Sequence, residues 1–324
     1  MYNELQGRMK ILREYCESRR ISIDNIDPES NLVWQMSGEK RNFIFTPGRL
    51  YPLNNPASIR VSKDKDWTYK VLAHNGFKVP LGKAFFTVDD YFGFDTSGRR
   101  LEQAHEFAES LGYPVFVKPN SKSRGKLANP DNNYGELREH FQAIGEIDHV
   151  ALVQKKFDVP EYRVFVLGDE VKFAYKKVSG KLIGDGKSSL DDLLKGAQIP
   201  DSIQEDIYFL RELERKRYSL DSVIPEGQEF NPSPNNNLNF GGKIEDYVGE
   251  VSGEVRDWSN RVISSLGLKI AGIDLFSEEG LKNPEDFTIL EVNGNPSISR
   301  IYDSGRREKI FQVLDDVFLE YFKK

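Results

Sequence analysis

The chain has 324 residues, of which 38% are hydrophobic and 30% are charged, a composition typical of a globular protein with a sizeable core. The formal net charge of −6 gives no overall electrostatic case for binding nucleic acid or an anionic membrane, and the one cysteine, Cys16, excludes internal disulfides and cysteine-based zinc sites. The N-terminus lacks the apolar core of a signal peptide and no run approaches about 18 apolar residues, so we expect a soluble, cytoplasmic protein.

The first quarter of the chain predicts a helix, a small hairpin and a second helix. Residues 3–20 have the spacing of an amphipathic helix, and NLVWQM and RNFIFT predict two short strands. The segment NNPASI predicts a loop. Ser62 is expected to cap the helix that follows it, which ends at Gly76.

The middle of the chain predicts helices that alternate with apolar strands. The helix RRLEQAHEFAESLG ends at Gly112 and leads into the strand YPVFVKP, which Pro119 closes. A helix at 134–144 leads into the strand VALVQKKF. The segment YRVFVLGDEVKFAYKKV then predicts a hairpin that turns at Gly168 and Asp169.

The last third of the chain mixes helices with further strands. Helical segments are predicted at 188–195 and 201–216, and the stretch 225–243 is dense in Pro, Asn and Gly and predicts a loop. A helix at 249–266, the strands KIAGIDLF and FTILEV, and a helix at 305–322 follow. Antiparallel hairpins covered by helices indicate an α+β fold rather than a parallel doubly wound sheet.

A carboxylate and an amide end the strand FTILEV. Glu291 and Asn293 are two residues apart, so both side chains leave the same face of the strand. If this strand pairs with KIAGIDLF, Asp274 joins them, and the three supply the oxygen ligands that Mg²⁺ prefers. The alternative is a structural carboxylate pair held by lysines or by a helix terminus.

Lys118 ends an apolar strand, just before the Ser-, Lys- and Gly-containing loop 120–126. Its amine is placed to meet a phosphate, and the loop offers backbone N–H groups and hydroxyls to anionic oxygens. The alternative is a solvated loop beside a lysine whose amine reaches water. GKSS at 186–189 is not a P-loop, because the earlier glycine that the motif requires would fall at Lys181.

The stretch VALVQKKFDVPEYRVFV at 150–166 is suited to binding a nucleoside. A strand runs into a short linker, and Glu161 opens the next strand. The backbone of such a crossover can hydrogen-bond an adenine edge, while a carboxylate accepts hydrogen bonds from ribose hydroxyls.

Taken together, the chain resembles the ATP-grasp superfamily of carboxylate–amine ligases, in particular the ligase domains of cyanophycin synthetase and bifunctional glutathione synthetase. The resemblance covers roughly 61–320 and rests on SKDKDWTYKVLAHNGFKVP, GYPVFVKP, ALVQKKF..PEYRVFVLGDEV, KLIGDGKSSLDDLL, NNNLNFGG, IAGIDLF and ILEVNGNPS. It implies an ATP-grasp fold at 61–324, in which α+β lobes at about 61–157 and 158–324 grip ATP between antiparallel sheets. Residues 1–60 would then be a reduced N-terminal segment on the substrate side, a dimer contact or a peptide-docking surface.

The resemblance also implies roles for individual residues. Lys65 and Lys118 would contact the ATP phosphates, and the loop 120–126 would be the mobile lid, with Lys122 and Arg124 where relatives have further glycines. The remaining implied residues fall into three groups: Ser121, Ser123 and Gly125 in the lid; Gln154, Lys155 and Phe157 at adenine, with Glu161 at the ribose; and Asp274, Glu291 and Asn293 at Mg²⁺.

On the substrate side, the resemblance implies that Lys176, Lys177 and GDGKSSL face the acyl acceptor, with Asp185 either at the substrate or in an ordinary turn. Arg300 would hold a substrate carboxylate or stabilise the acyl phosphate; the alternative is a salt bridge to Asp303 or a contact with a helix end. Relatives usually have an arginine where this chain has Ser233, which suggests a different substrate.

The implied reaction is ATP- and Mg²⁺-dependent amide formation through an acyl phosphate, with Lys118, Arg300 and Lys177 as the catalytic residues. The partners would be small amino-acid or peptide substrates, and relatives are commonly oligomers, so a homo-oligomer is possible. Three alternatives remain: the same chemistry on a protein or ribosomal peptide precursor, a nucleotide-binding protein without ligation, and a kinase that stops at phosphoryl transfer.

Overall fold

In the computed structural model of the protein, the described residues are 2–38, 40–123, 125–234, 236 and 241–323. At 2–6, 319, 320 and 323 the description covers the backbone alone. None of the helices within these ranges has the length and apolar character needed to cross a bilayer. The predicted α+β class is confirmed, and all the strand pairs formed by the described residues are antiparallel.

The N-terminal part begins with the predicted helix and continues into a three-stranded sheet. Its elements are α1 (Tyr2–Arg19), β1 (Ser22–Asn25), β2 (Trp34–Ser37), β3 (Asn42–Phe45), α2 (Pro56–Lys63) and α3 (Lys65–His74). The predictions for β2 and β3 are confirmed, while β1 was not predicted.

Two predictions for this part are wrong. The segment NNPASI opens a helix: the Asn55 side chain accepts a hydrogen bond from the backbone N–H of Ser58, and a proline occupies the first turn, where its missing N–H costs nothing. Ser62 lies inside that helix and does not cap the next one. Asp64 does so instead, accepting from the backbone N–H of Trp67 at 3.0 Å.

The next part of the chain forms a four-stranded sheet in the order β4-β9-β7-β8. Its elements are β4 (Gly82–Phe86), a small hairpin of β5 (Asp90–Tyr91) and β6 (Phe94–Asp95), α4 (Leu101–Leu111), β7 (Val115–Pro119), β8 (Asn129–Asp131), α5 (Tyr134–Gly145) and β9 (Val150–Lys155). Apolar side chains of α4 and α5 pack against β7 and β9, and this packing forms the core of the first lobe.

The rest of the chain forms a second lobe, and residues 182–230 form a smaller insertion within it. Its elements are β10 (Glu161–Leu167), β11 (Glu170–Val178), β12 (Leu182–Ile183), α6 (Leu190–Gly196), α7 (Ile207–Lys216), β13 (Glu229–Phe230), β14 (Lys243–Val248), α8 (Gly253–Ser265), β15 (Ile270–Phe276), β16 (Thr288–Asn293), α9 (Ser299–Asp303) and α10 (Arg307–Lys323). A five-stranded sheet has the order β14-β11-β10-β15-β16, and β12 pairs with β13 in the insertion.

The N-terminal part and the end of the chain share one apolar core. Tyr15 of α1 is fully buried and meets the Phe311 ring of α10 edge-on, with 5.6 Å between the ring centroids. Phe165 and Phe173 of the five-stranded sheet belong to the same core, while α8 packs on the opposite face of that sheet. The helix α1 therefore packs against the second lobe, and the boundary near residue 60 stays a prediction.

Candidate functional site

A cleft of about 1920 Å³ lies between the two large sheets. Its walls come from β7 and β9 on one side and from β10, β11, β15 and β16 on the other. The loop after β7 and the insertion border it, and Gly7, Arg8 and the segment after β16 line it as well. Thirteen of the predicted site residues share this cleft: Lys65, Lys118, Ser123, Gly125, Gln154, Lys155, Phe157, Glu161, Lys177, Asp274, Glu291, Asn293 and Arg300.

The strand pairing that the metal-site prediction requires is present. The strands β15 and β16 are neighbours, and their register sets Asp274 opposite Glu291. Asn293 lies two residues beyond Glu291 and also lines the cleft. Asp274 is buried, while the Glu291 side chain keeps 26% of its surface exposed. The more accessible carboxylate is therefore that of Glu291.

A buried network of opposite charges surrounds Asp274. The Arg163 guanidinium binds both of its carboxylate oxygens, with Nε donating to Oδ1 at 2.6 Å, and the Lys177 amine lies 2.8 Å from Oδ1. Lys177 also donates to Glu161 Oε1 at 2.6 Å. The register explains this network, because β10 is central and pairs Arg163 with Asp274 on one side and Glu161 with Lys177 on the other.

The pKa values of the two carboxyls in the network shift in opposite directions. Burial disfavours the charged form of Asp274, but the charges of Arg163 and Lys177 outweigh burial and hold its pKa below the ordinary value. For Glu161 burial dominates, and its pKa is raised although the charge of Lys177 opposes the rise. Glu161 is therefore the more easily protonated of the two carboxyls.

Lys118 is buried at the end of β7. Its amine donates to the Tyr69 hydroxyl at 3.0 Å, and that hydroxyl donates to the backbone oxygen of Leu290 at 2.6 Å, which links β7 to β16 across the cleft. Burial lowers the pKa of Lys118 to about 8, and the nearby charges of Glu291, Glu161 and Asp274 oppose this shift. Additional negative charge, such as a phosphate, would favour its charged form.

Lys65 begins α3 and connects the loop after β7 to the acidic group, which consists of Asp274 and Glu291. Its amine donates to the backbone oxygens of Lys122 at 2.6 Å and of Asn120 at 3.3 Å. The same amine lies 3.7 Å from Glu291 Oε1. The cations of Lys65 and Lys118 therefore meet the carboxylates at one end of the cleft.

The predicted lid is divided between structural and cleft-facing residues. Ser121 is not among the described residues that line the cleft, because its backbone N–H and its hydroxyl both donate to Asp148 Oδ2, at 2.7 and 2.8 Å. Lys122, Ser123 and Gly125 line the cleft. Arg124 lies outside the described residues, as does most of the segment NNNLNFGG.

The predicted adenine-binding segment follows β9. Gln154 and Lys155 end that strand, and Phe157 stacks on Phe276, with ring centroids 5.3 Å apart and planes inclined by 24°. The backbone N–H of Lys155 donates to the backbone oxygen of Leu81 at 2.9 Å, and Lys155, Lys156 and Phe157 line the cleft. An aromatic pair that lines a cleft is a suitable surface for a flat heterocycle.

Several residues predicted on the substrate side do not reach the cleft. Asp185 accepts from the backbone N–H groups of Lys187 and Ser188 and from the Ser188 hydroxyl, and these bonds lower its pKa to about 2. It thus organises a turn. Neither it nor Lys176 nor the buried Ser233 is among the described residues that line the cleft.

Arg300 is exposed on α9 and lines the cleft. The alternative salt bridge with Asp303 is not formed, and none of the carboxylates in the described part of the chain lies within 4.0 Å of the Arg300 guanidinium. Asp303 also lines the cleft. The two opposite charges are therefore both presented to the cleft.

Sequence reasoning missed Arg163 and Tyr69. Arg163 stands two residues after Glu161 on a strand, so the two side chains share a face, and this spacing is readable in EYR. That it would neutralise Asp274 depended on the order of the strands, which local patterns do not reveal. Tyr69 carries no local signal that separates it from a core tyrosine.

The donor chemistry at Asp274, Glu291 and Asn293 suits a hard cation. Within the described ranges, His, Cys, Asp and Glu form no group of three or more that could hold a metal ion. Mg²⁺ typically takes one or two carboxylates and completes its shell with water and phosphate oxygens, and two carboxylates with one amide meet that need. Arg163 and Lys177 bind the Asp274 oxygens and keep this carboxylate in the ionised form that a metal ligand requires.

Comparison with known proteins gives relatives that share the fold. No family model matches the chain. It is 27% identical over 253 residues to cyanophycin synthetase of Trichormus variabilis, covering 74% of this chain and 27% of that protein. It is 23% identical over 311 residues to the glutathione biosynthesis bifunctional protein of Desulfotalea psychrophila, covering 91% and 38%. The chain thus spans well under half the length of these relatives.

Solved structures agree with the sequence relatives. A bifunctional glutathione synthetase from Pasteurella multocida superposes with a TM-score of 0.55 at 20% identity, covering 97% of this chain and 44% of that one. A D-alanine–D-alanine ligase from Bacillus anthracis superposes with a TM-score of 0.51 at 15% identity, covering 83% and 71%. The predicted ATP-grasp fold and the predicted resemblance to these ligases are confirmed.

Proposed function

We propose that the protein is an ATP- and Mg²⁺-dependent ligase that joins a carboxylate to an amine through an acyl phosphate and releases ADP and phosphate. The observation that carries this proposal is the meeting of Lys65 and Lys118 with Asp274, Glu291 and Asn293 at one end of a cleft between two antiparallel sheets. The substrates would be amino acids or short peptides, as the names of the relatives suggest.

The cleft supports a definite orientation for ATP. Its adenine would lie against Gln154, Lys155 and Phe157, and Glu161 would accept from the ribose hydroxyls. The triphosphate would then extend toward Lys118 and Lys65, whose amines lie beside the acidic group. Ser123 and Gly125 would cover the phosphates, since they line the cleft in the loop after β7.

In the first step a substrate carboxylate oxygen attacks the γ-phosphorus of ATP. A new oxygen–phosphorus bond forms as the bond to the bridging oxygen breaks, and ADP leaves. Lys118 and Lys65 neutralise the charge as it moves, which is the main contribution a protein makes to phosphoryl transfer. A magnesium ion held by Asp274, Glu291 and Asn293 would add to this neutralisation when bound.

In the second step the neutral amine attacks the acyl carbon, a C–N bond forms as the bond from that carbon to the phosphate oxygen breaks, and phosphate leaves with the proton that the amine loses. Arg300 would hold the substrate carboxylate or the acyl phosphate, because a guanidinium matches either group with two parallel hydrogen bonds. Lys177 would hold Asp274 and Glu161 in position, since its amine binds both carboxylates. No covalent enzyme intermediate is required.

Hydroxylamine trapping tests the acyl phosphate directly. Wild-type protein with ATP, Mg²⁺, hydroxylamine and pooled amino acids should form a hydroxamate as ADP appears, and Lys118→Met should form almost none. Lys83→Met is a suitable control, because Lys83 is on β4 and its amine lies over the Phe107 ring, 4.7 Å from its centroid. ADP formed without a hydroxamate, with a stable phosphorylated product instead, would favour a kinase.

A macromolecular acceptor is the second candidate. The cleft, at about 1920 Å³, exceeds the roughly 300–1000 Å³ of ordinary small-molecule sites, so it leaves room for a peptide beside ATP. If ADP release rises only with peptides of several residues and never with free amino acids, this candidate replaces the small-molecule one.

A further inference from the structure

We infer that α1 forms the wall that binds an amino-acid group of the substrate, with Gly7 leaving the space for it and Arg8, Arg300 and Asp303 supplying the charges. This rests on the proposed ligase function and narrows its substrate to one that presents a carboxylate and an ammonium close together. The chemical class is a free α-amino acid or the zwitterionic end of a short peptide.

Hydrogen bonds join the N-terminal part directly to the end of the strand that carries Glu291 and Asn293. Asn295 Nδ2 donates to the backbone oxygen of Gly48 at 2.8 Å, and its Oδ1 accepts from the backbone N–H of Leu50 at 3.2 Å. The Tyr51 hydroxyl donates to the backbone oxygen of Pro296 at 3.0 Å. The first fifty residues are thereby fixed beside the reacting end of the cleft.

Arg8 belongs to this junction. It lines the cleft and is buried, with 8% of its surface exposed. Its positive charge opposes the rise that burial gives to the pKa of Tyr51, so the guanidinium lies near the Tyr51–Pro296 contact. Arg8 therefore adds a positive charge to this edge of the cleft.

Gly7 leaves a space that none of the described side chains fills. It lies within the 18-residue helix α1, where glycine is among the least favourable residues. A Cβ atom built at Gly7 meets no heavy atom of the described residues within 4 Å, so packing does not require glycine. Gly48, on the same wall, has only Thr46 Oγ1 nearby, at 3.8 Å. The space beside both glycines opens into the cleft.

The charges at this wall match a zwitterion. Arg300 and Asp303 are three residues apart on α9, both line the cleft, and among the described residues neither forms an ion pair. A substrate carboxylate would bind Arg300, with the positive charge of Arg8 at the same wall, and a substrate ammonium would bind Asp303. A substrate with only a carboxylate would leave Asp303 without an opposite charge, and a substrate with only an ammonium would leave Arg300 without one.

Gly7→Ala separates this role from a structural one, because the two roles predict opposite results. If the space receives substrate, alanine should raise the melting temperature through its better helix propensity and raise the KM for the amino-acid substrate by about tenfold or more, with the KM for ATP unchanged. Gly196→Ala, at the end of α6 and equally without neighbours within 4 Å, should change neither KM.

Arg300→Gln and Asp303→Asn test the charges without disturbing the core, since both residues are exposed. Arg300→Gln should abolish the preference for free amino acids over their C-terminal amides, and Asp303→Asn the preference over their N-acetyl derivatives. Arg13→Gln should retain both preferences, because Arg13 lies on the same helix but stacks over the Trp34 ring at 4.7 Å from its centroid.

Calorimetry with ADP, Mg²⁺ and each of the twenty amino acids separates this inference from the proposed function. Binding that Arg300→Gln and Gly7→Ala weaken, in a protein that releases no ADP with any substrate, would retain the inference and contradict the ligase. Turnover with amino-acid KM values that neither variant alters would contradict the inference and retain the ligase.

Discussion

At the residue scale, the charge state of the site depends on partners that are distant in sequence. Asp274 is bound by Arg163 and Lys177, which lie on two other strands. Among the described residues, Glu291 has one looser ionic partner, Lys65, at 3.7 Å. The two carboxylates that were predicted together thus have different surroundings, and substitutions at them should have different consequences.

Removal of Arg163 should destabilise the fold severely. Arg163→Met leaves the buried carboxylate of Asp274 with a single cation, and breaking a buried ion pair from one side costs about 3–5 kcal/mol. Urea unfolding measures the resulting loss in the free energy of unfolding. Arg256→Met is the matched control: the Arg256 side chain is 52% exposed beside Asp257, so its loss should stay within about 0.5 kcal/mol. Equal effects of the two variants would contradict the buried network.

Because of Lys118, the free energy of unfolding of the nucleotide-free protein should change with pH in the alkaline range. Its pKa of about 8 lies below the ordinary 10.5, so between these values the unfolded chain binds more protons than the folded one. Stability should therefore rise with pH across this window, by at most about 3 kcal/mol. Lys118→Met should lack this component. Stability curves of wild type and variant that run parallel from pH 8 to 10.5 would refute the shift.

At the element scale, hydrogen bonds from α7 attach the insertion to the first lobe. Arg211 binds Asp131 of β8 at 2.8 Å and the backbone oxygen of Glu136 in α5 at the same distance. Asp131 is fully buried and also contacts His140 at 2.9 Å. Because the insertion lines the cleft with Gln198, this attachment fixes one border of the site.

Arg211→Met should loosen this attachment. It leaves the buried Asp131 without its guanidinium, so we expect a loss of about 3–5 kcal/mol and faster amide hydrogen exchange in α7 than in the wild type. Arg215→Met on the same helix is the control, because the Arg215 side chain is 42% exposed and its pairs with Glu136 and Glu212 should contribute at most about 1 kcal/mol. Unchanged exchange in α7 of Arg211→Met would contradict the role.

Most long elements could be predicted from local patterns, and the shorter ones could not. The helices α1, α4, α5, α8 and α10 and the hairpin of β10 and β11 follow from apolar periodicity, with glycine stops after α4 and α8. The strands β8, β12 and β13 have two or three residues each, too few for a period. The helix α2 has a readable signal in Asn55 followed by proline, although the same Asn and Pro residues also predict a loop.

At the scale of the whole molecule, the site is assembled from separate parts of the chain. The sequence predicted that its carboxylates, both lysines and the segment after β9 would share one site, because each lies at or next to the end of a recognisable strand or helix, and the structure brings them to one cleft. Their roles stay predictions. The sequence did not predict the contribution of α1, since Gly7 and Arg8 acquire meaning only when the N-terminal part packs against α10 and joins the segment after β16.

The central claim is that the acidic group and the lysines turn over ATP for a carboxylate substrate. The most direct measurement is ADP release with ATP and Mg²⁺ across pooled amino acids and small peptides, for wild type and Glu291→Gln. Glu291 is partly exposed, so this variant should fold. We predict ADP release that rises with at least one pool and falls by about a hundredfold or more in the variant. ADP release that stays flat across every pool, or that Glu291→Gln leaves unchanged, would contradict the claim.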